Sequence, residues 1–299
     1  MMDFVKNGLR YGLQAVSGPI EKRNEARTHI RRRLALEYLG RAHREITFQR
    51  NGFTWTGSPK CTITRAIFID GRHQDVFIDS LEKWIDKKKP VVVNVGANIG
   101  DTALPLSKIW KRVLAIEPSP ETFSRLQNNV RQNGLGELIT CCQVAISNTA
   151  GTAELVIADQ PGNTELLGDN GSVGFDGDDL RRAVVSVATK PLDDVLKDYH
   201  IAPHDVALVW SDTQGFEAQV IESGSGLWAA GVPLWVEVWP KGLECHGGID
   251  KFLNSCKQHF KRFVAAHKVR EAPEPIQSLA SLVTDLRAKG TSTDILLIP

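Results

Sequence analysis

The stretch at residues 91–101, VVVNVGANIGD, constrains the fold more than any other part of the chain. Its successive valines favour an extended segment buried on both faces. The run ends at Gly96 and Gly100, and DTALPLSKIW beyond them reads as a helix, with Pro105 tolerated in its first turns. A strand turning tightly into a helix opens a parallel βαβ unit. The two glycines let the backbone take conformations closed to other residues and let a ligand come close. Asn98 between them tolerates the left-handed region. The helix start offers unpaired N–H groups to a polar ligand. A tight turn calls for glycine with or without a ligand, so the turn alone leaves binding open.

The same alternation continues to the C-terminus. RVLAIEPSP is a second strand, ETFSRLQNNVRQNG a helix closed by Gly134, and LITCCQVAIS a third strand. TAELVIA is hairpin-like, VVSVATKP extended and LDDVLKDYH helical. DVALVWSD and PLWVEVWP are further strands separated by the mostly helical EAQVIESGSGLWAAG. A helix from about residue 250 to 260, a strand in RFVAAH, a helix in SLASLVTDLRA and a strand in TDILLIP complete the pattern. Such alternation predicts an α/β sheet with helices on both faces. A long stretch rich in Gly, Asp and Asn interrupts it, and residues 161–179 are the expected lid.

The first 88 residues follow other rules and are expected to form an N-terminal cap, with the α/β domain over residues 89–299. Arg23, Arg27, Arg31, Arg32, Arg33, Arg41 and Arg44 interleave with Leu34, Leu36, Tyr38 and Leu39, which predicts one or two amphipathic helices with a basic face. That face suits an anionic partner such as a membrane surface, or is a solvated face packed on the core. ITFQRNGFTWTG carries Asn51-Gly52 between two β-prone runs, a strong hairpin signal. RAIFIDGRHQDVFIDS predicts a second hairpin around Asp70-Gly71, followed by a helix at residues 81–87.

Composition narrows the partners. A net charge of +1 gives no global field of the kind that marks a nucleic-acid binder. No apolar run approaches the length of a membrane span, and MMDFVKNGLRYGLQAV lacks the apolar core of a secretory signal, so the cytoplasm is the expected location. The five cysteines form no C-x-x-C pair, so no zinc site is expected, and free structural thiols are the plain reading.

Four acids and a histidine stand out. Glu117, in AIEPSP, lies about twenty residues past the glycine turn, where an acid takes the hydroxyls of a bound ribose; it could instead cap the helix beginning near Pro120. Asp212 closes the apolar strand DVALVW, at the end of the sheet where ligands sit. Glu217, five residues later, either serves the site or sits favourably at a helix N-terminus. Glu237 lies among Leu234, Trp235, Val236, Val238 and Trp239, an apolar run in which a carboxylate must face a ligand or pair with an arginine. Trp239 either walls the pocket or packs in the core. His246, in CHGG, is a candidate base. The glycine turn and Glu117 together predict a nucleoside cofactor. Asn98 occupies the place of the middle glycine of a dinucleotide fingerprint, where backbone must approach pyrophosphate, which disfavours NAD. S-adenosylmethionine (SAM) carries no phosphate and needs no such clearance. None of the three tyrosines forms a Tyr-x-x-x-Lys pair, which counts against an NAD-dependent oxidoreductase or epimerase.

Together these residues resemble the FkbM family of SAM-dependent methyltransferases. The first motif stands as Asn94-Val95-Gly96-Ala97-Asn98-Ile99-Gly100, and the second as Glu117-Pro118-Ser119-Pro120 followed by Phe123, Leu126 and Asn129. Leu192-Asp193-Asp194 precedes the fourth strand, Asp212-Thr213-Gln214-Gly215-Phe216-Glu217 follows it, and Glu237 matches an acid in the next strand. The resemblance runs from about residue 91 to the C-terminus. It implies a Rossmann-like fold with a seven-strand, mostly parallel sheet whose last strand is antiparallel. It also implies SAM held through Asn94, Gly96, Asn98, Gly100, Glu117 and Asp212, and methyl transfer to an oxygen of a small-molecule or glycan acceptor. Asp212 or Glu237 is the expected base or acceptor anchor, with His246 as outsider. Two departures matter. Asn94 replaces the acid usual at that position, which leaves open a methyltransferase-like binding module without catalysis. Val209-Trp210-Ser211 replaces a stretch in which the family commonly has a lysine.

Overall fold

The computed structural model describes residues 20–71, 74–81, 83–157, 165–167, 183–269 and 271–299. The chain forms two compact units, Met1–His73 and Gln74–Pro299.

The first unit holds helix α1 (Ile20–Ala42), strands β1 (Ile46–Arg50) and β2 (Phe53–Gly57), and helix α2 (Thr62–Asp70). The β1–β2 hairpin forms where Asn51-Gly52 predicts it, with both residues at positive φ, 50° and 77°. Positive φ at both turn positions matches the right-handed twist of the strands. The second expected hairpin does not exist: residues 62–70 are helical and bury Ile63, Thr64, Ile67 and Ile69. Gly71, at φ 92°, is the C-cap, its N–H donating to the Ile67 carbonyl. The left-handed glycine that closes a hairpin also ends a helix, so the Asp-Gly pair could not tell the two apart. On α1, Ala26 and Leu36 are buried, while Leu34 and Tyr38 are 61% and 72% exposed. The apolar residues therefore do not share one buried face as expected. Residues 1–19 lie outside the described residues.

The second unit begins with a 3₁₀ helix, Gln74–Leu81, which ends where a helix at 81–87 was expected; the described residues from 83 to 90 are turns and bends. Pro90 disfavours helical backbone at the residue before it, which is one reason the helix does not run on. The core elements follow in chain order: β3 (Val91–Val95), α3 (Ala103–Leu106), β4 (Arg112–Ile116), α4 (Pro120–Gln132) and β5 (Ile139–Cys142). A small sheet comes next, from β6 (Ala145–Ile146), β7 (Gly151–Ile157), β8 (Glu165–Leu166) and β9 (Ala183–Lys190), in the order β6-β9-β7-β8. The main sheet resumes with α5 (Leu192–Asp198), β10 (Val206–Ser211), α6 (Glu217–Ser223), α7 (Ser225–Ala229), β11 (Leu234–Val238) and α8 (Pro240–Cys245). It ends with α9 (Ile249–His259), β12 (Arg262–Ala265), β13 (Glu274–Pro275), α10 (Leu279–Lys289) and β14 (Thr293–Ile298).

The main sheet has the order β13-β12-β14-β11-β10-β3-β4-β5. β5, β4, β3, β10 and β11 are mutually parallel, and β14 inserts antiparallel between β11 and β12. This is the expected Rossmann-like sheet with its antiparallel last strand; the two-residue β13 adds an eighth strand at the edge. β3 and β10 are buried along their whole length, as befits strands covered on both faces. Trp210 and Trp235 pack under the sheet with ring centroids 5.1 Å apart. No helix among the described residues is long and apolar enough to cross a membrane.

The strand order fixes where a site can form. From β3 the chain winds outward through β4 and β5, and from β10 it winds the other way through β11. The crevice at the carboxyl ends of β3 and β10 is thus the topological switch point, where open α/β sheets bind ligands. The Asp212 N–H donates to the Val95 carbonyl at 3.0 Å, so the loops leaving β3 and β10 start side by side.

Candidate active site

The loop after β3 is shaped by main-chain bonds. The N–H groups of Gly96 and Ala97 both donate to the Ile116 carbonyl, at 3.0 and 2.9 Å. Gly96 has φ 78°, and a Cβ there would lie 1.8 Å from the Asp212 carbonyl oxygen. Asn98, at φ 48°, is steadied by its own side chain, whose Oδ1 accepts from the Ile99 N–H at 2.9 Å. The buried Asn129 of α4 pins the loop from below, donating through Nδ2 to the Ile99 carbonyl at 2.8 Å.

Glu117 sits at the end of β4 with 6% of its surface exposed. One carboxylate oxygen accepts from the Asn98 N–H at 3.0 Å and the other from the Ser119 N–H at 2.9 Å. It therefore ties the glycine loop to the start of α4, and the cap residue of α4 is Ser119. Burial pushes its pKa from 4.5 up to about 7; the two N–H donors oppose this, and the charges of Asp101 and Asp212 add to it.

Asn94, central in β3, is 1% exposed and donates through Nδ2 to the Trp210 carbonyl at 3.4 Å. Its Oδ1 is buried without a hydrogen-bond partner. Such an oxygen costs stability unless a donor reaches it. An amino group of a bound cofactor is such a donor. The Gly96 cradle, the two-oxygen acceptor at Glu117 and the acceptor at Asn94 together fit a nucleoside cofactor bearing an amine, as SAM does.

The loop after β10 is held by side chains. Glu217, at the start of α6, is 1% exposed and turns back under the loop. Its Oε1 accepts from the Thr213 N–H at 3.1 Å, the Thr213 hydroxyl at 3.0 Å and the Gly215 N–H at 3.2 Å. Burial raises its pKa, and the loop donors oppose that rise. Glu217 is thus a brace rather than a group open to a ligand. Asp212 and Glu237, at the ends of neighbouring strands, are both half-buried. They meet through one side chain: the Gln214 Nε2 lies 2.5 Å from Asp212 Oδ1 and 3.4 Å from Glu237 Oε2. Burial, then the charges of Asp212 and Glu217, hold Glu237 well above the ordinary carboxylate range.

His246, the third expected base, is 4% exposed, its ring centroid 4.4 Å from that of Phe216. Its carbonyl accepts from the Gln219 Nε2 of α6 at 3.0 Å, and a Cβ on Gly215 would lie 2.6 Å from its ring, so it packs against α6 and the loop before it. Trp239 is half-buried and lies against Gly242, where a Cβ would meet its ring at 2.2 Å. The expected lid at residues 161–179 lies outside the described residues, apart from 165–167. Among the described residues no His, Cys, Asp and Glu cluster has the makings of a metal site. Gln214, which bridges the two acids, is not among the residues that the sequence singles out. Its signal was the position inside the D-T-Q-G-F-E motif, two residues from one acid.

Comparison with known proteins agrees with this geometry. Residues 94–260 match the family described as "Methyltransferase FkbM domain". The methyltransferase sdnD of Sordaria araneosa is 26% identical over 177 residues, covering 52% of this chain and 68% of that protein. The 2-O-methyltransferase NoeI of Sinorhizobium fredii is 26% identical over 155 residues, covering 47% of this chain and 59% of that protein. Among solved structures, methyltransferase FkbM from Methylobacillus flagellatus aligns over 90% of this chain and 59% of its own, at 13% identity and a TM-score of 0.38. The matched span exceeds half of the chain and takes in Asn94, Glu117, Asp212 and Glu237, and the chain belongs to the FkbM family of SAM-dependent methyltransferases.

Proposed function

We propose that the chain methylates a hydroxyl oxygen of a small, carbohydrate-like acceptor, with Asp212 and Glu237 handling the proton. The observation that carries this reading is the pair of carboxylates at adjacent strand ends, joined by the Gln214 amide and facing the switch point. The relative named a 2-O-methyltransferase favours oxygen as the accepting atom.

In this reading Asn94, Gly96, Asn98, Gly100 and Glu117 hold the cofactor, with Asp212 at its edge. SAM, when bound, supplies a methyl group already activated on a sulfonium. The protein's part is then alignment and proton transfer. Asp212 anchors the acceptor hydroxyl, and Glu237 takes its proton as the oxygen forms the new bond to carbon. A carboxylate whose proton affinity is raised is the stronger base once ionised. His246 serves the loop rather than the proton.

Two further assignments belong to the same reading. The five free cysteines suit a reducing compartment, so the cytoplasm is the proposed location. The exposed Leu34 and Tyr38 on the arginine-bearing α1 suit peripheral contact with an anionic membrane, which co-sedimentation with anionic vesicles checks.

The test is transfer of labelled methyl from SAM to a panel of sugars and other polyols. Glu237→Gln and Asp212→Asn should each lower kcat by roughly 10²- to 10⁴-fold. Glu237→Gln should leave SAM affinity unchanged. Transfer at the wild-type rate in both variants removes the pair from the mechanism.

A further inference from the structure

Gln214 stands in an unusual backbone state. Its φ is 55°, in the left-handed region that residues with a Cβ enter at a cost of roughly 1 kcal/mol. The flanking residues hold it there. The N–H groups of Thr213 and Gly215 are both fixed to Glu217 Oε1. Gly215, at φ 109°, sits so close to Gly242 that a Cβ would lie 2.5 Å from its carbonyl oxygen. The strained residue thus carries a side chain aimed at two acids from neighbouring strands.

We infer that Gln214 is a positioning residue that sets the proton affinity of the Asp212–Glu237 pair, an inference that builds on the pair's proposed role. An amide nitrogen carries two hydrogens and accepts none. Both hydrogens fall to the pair, one at 2.5 Å on Asp212 and one at the longer 3.4 Å on Glu237. Donation to a carboxylate favours its ionised form. The opposing influences on Glu237 are burial and the charges of Asp212, Glu217 and Asp294, while the Ser292 hydroxyl donates to it as Gln214 does. Gln214 therefore restrains a proton affinity that its surroundings drive upward. Without it the pair would hold its proton more tightly.

Backbone and amide roles separate by substitution. Gln214→Gly removes the amide and relieves the positive φ. Gln214→Asn keeps an amide and tolerates that φ, but is one methylene too short to reach both acids. The measurement is a carboxyl ¹³C NMR titration of Glu237 in the full chain, its signal assigned by comparison with Glu237→Gln. With Gln214→Gly the Glu237 midpoint should rise by about one pH unit, with thermal stability equal to or above that of the wild type. Gln214→Asn should give a smaller rise and serves alone should the glycine variant fail to fold. A Glu237 midpoint unmoved in a folded variant overturns the inference. The titration needs neither cofactor nor acceptor, so its result is independent of whether Asp212→Asn and Glu237→Gln slow methyl transfer.

Discussion

The loops after β3 and β10 leave the sheet side by side, and they are held by opposite means. Residues 96–100 are shaped by glycines and main-chain hydrogen bonds, with Gly96 pressed against the Asp212 carbonyl. Residues 212–217 are shaped by a buried carboxylate, Glu217, and carry a left-handed glutamine. The first loop is chiefly a steric cradle, with the Glu117 carboxylate on the Asn98 N–H as its charged tie. The second is an electrostatic assembly in which Asp212 raises the proton affinity of Glu217, and Asp212 and Glu217 raise that of Glu237. The proposed site, which both grips a cofactor and moves a proton, gains from this division. The Gly96 turn is held by main-chain contacts whatever the charge of Glu217 and Glu237.

The contrast is open to attack from each side. The largest effect is expected at Gly96. Gly96→Ala places a methyl where the Asp212 main chain already is and demands a positive φ of alanine. Main chain cannot swing aside as a long side chain can, so the variant should lose about 3 kcal/mol or more of stability, read by chemical denaturation. A stable Gly96→Ala protein would mean that the two loops are not in contact as described.

Glu217→Ala should do less, and do it elsewhere. It removes the acceptor of three loop hydrogen bonds but also a buried group whose second oxygen has no hydrogen-bond partner. The expected net loss is about 2 kcal/mol. SAM binding should survive, because residues 96–100 do not depend on Glu217, while methyl transfer should fall as Gln214 and Asp212 lose their support. Parallel measurement of SAM affinity and turnover checks this. Equal loss of both would merge the two loops into one unit.

The same division explains what could be read from the chain. The sheet was legible because β3 and β10 are uniform apolar runs and because glycines punctuate the strand ends. Glu117 was legible because its distance from the glycine turn follows from one βαβ repeat. The acids at 212 and 237 stood out because each interrupts an apolar stretch. The bracing by Glu217, by contrast, depends on a rotamer that turns the side chain back under its own loop. The bridge by Gln214 depends on a positive φ that no residue type announces. His246 looked like a loop base and proved to be packed on Phe216, since a short loop under α8 buries its side chains. The helix at Thr62–Asp70 was misread because the isoleucines of TITRAIFID fit both periods over so short a run.

Glu117 belongs to the cradle and is its one titrating member held near neutrality, so it joins the two halves of the comparison. Its pKa of about 7 lies above its ordinary 4.5, so the folded chain binds a proton that the unfolded chain has released. Its effect on stability is therefore absent below pH 4.5 and becomes a penalty as pH rises toward 7. The penalty reaches about 3 kcal/mol. In the proposed assignment the cofactor's hydroxyls donate to Glu117 and so favour the charged carboxylate, and binding should strengthen over the same range.

The most direct test of the account is calorimetric titration of SAM into the wild-type protein and Glu117→Gln between pH 5.5 and 8.5. Wild-type affinity should rise with pH by up to about tenfold per unit below 7 and level off above it. Glu117→Gln should bind at least tenfold more weakly at pH 8 and show no such rise. Equal affinity in the two proteins, or a wild-type affinity that ignores pH, would contradict the assignment of Glu117 as the residue that holds the cofactor.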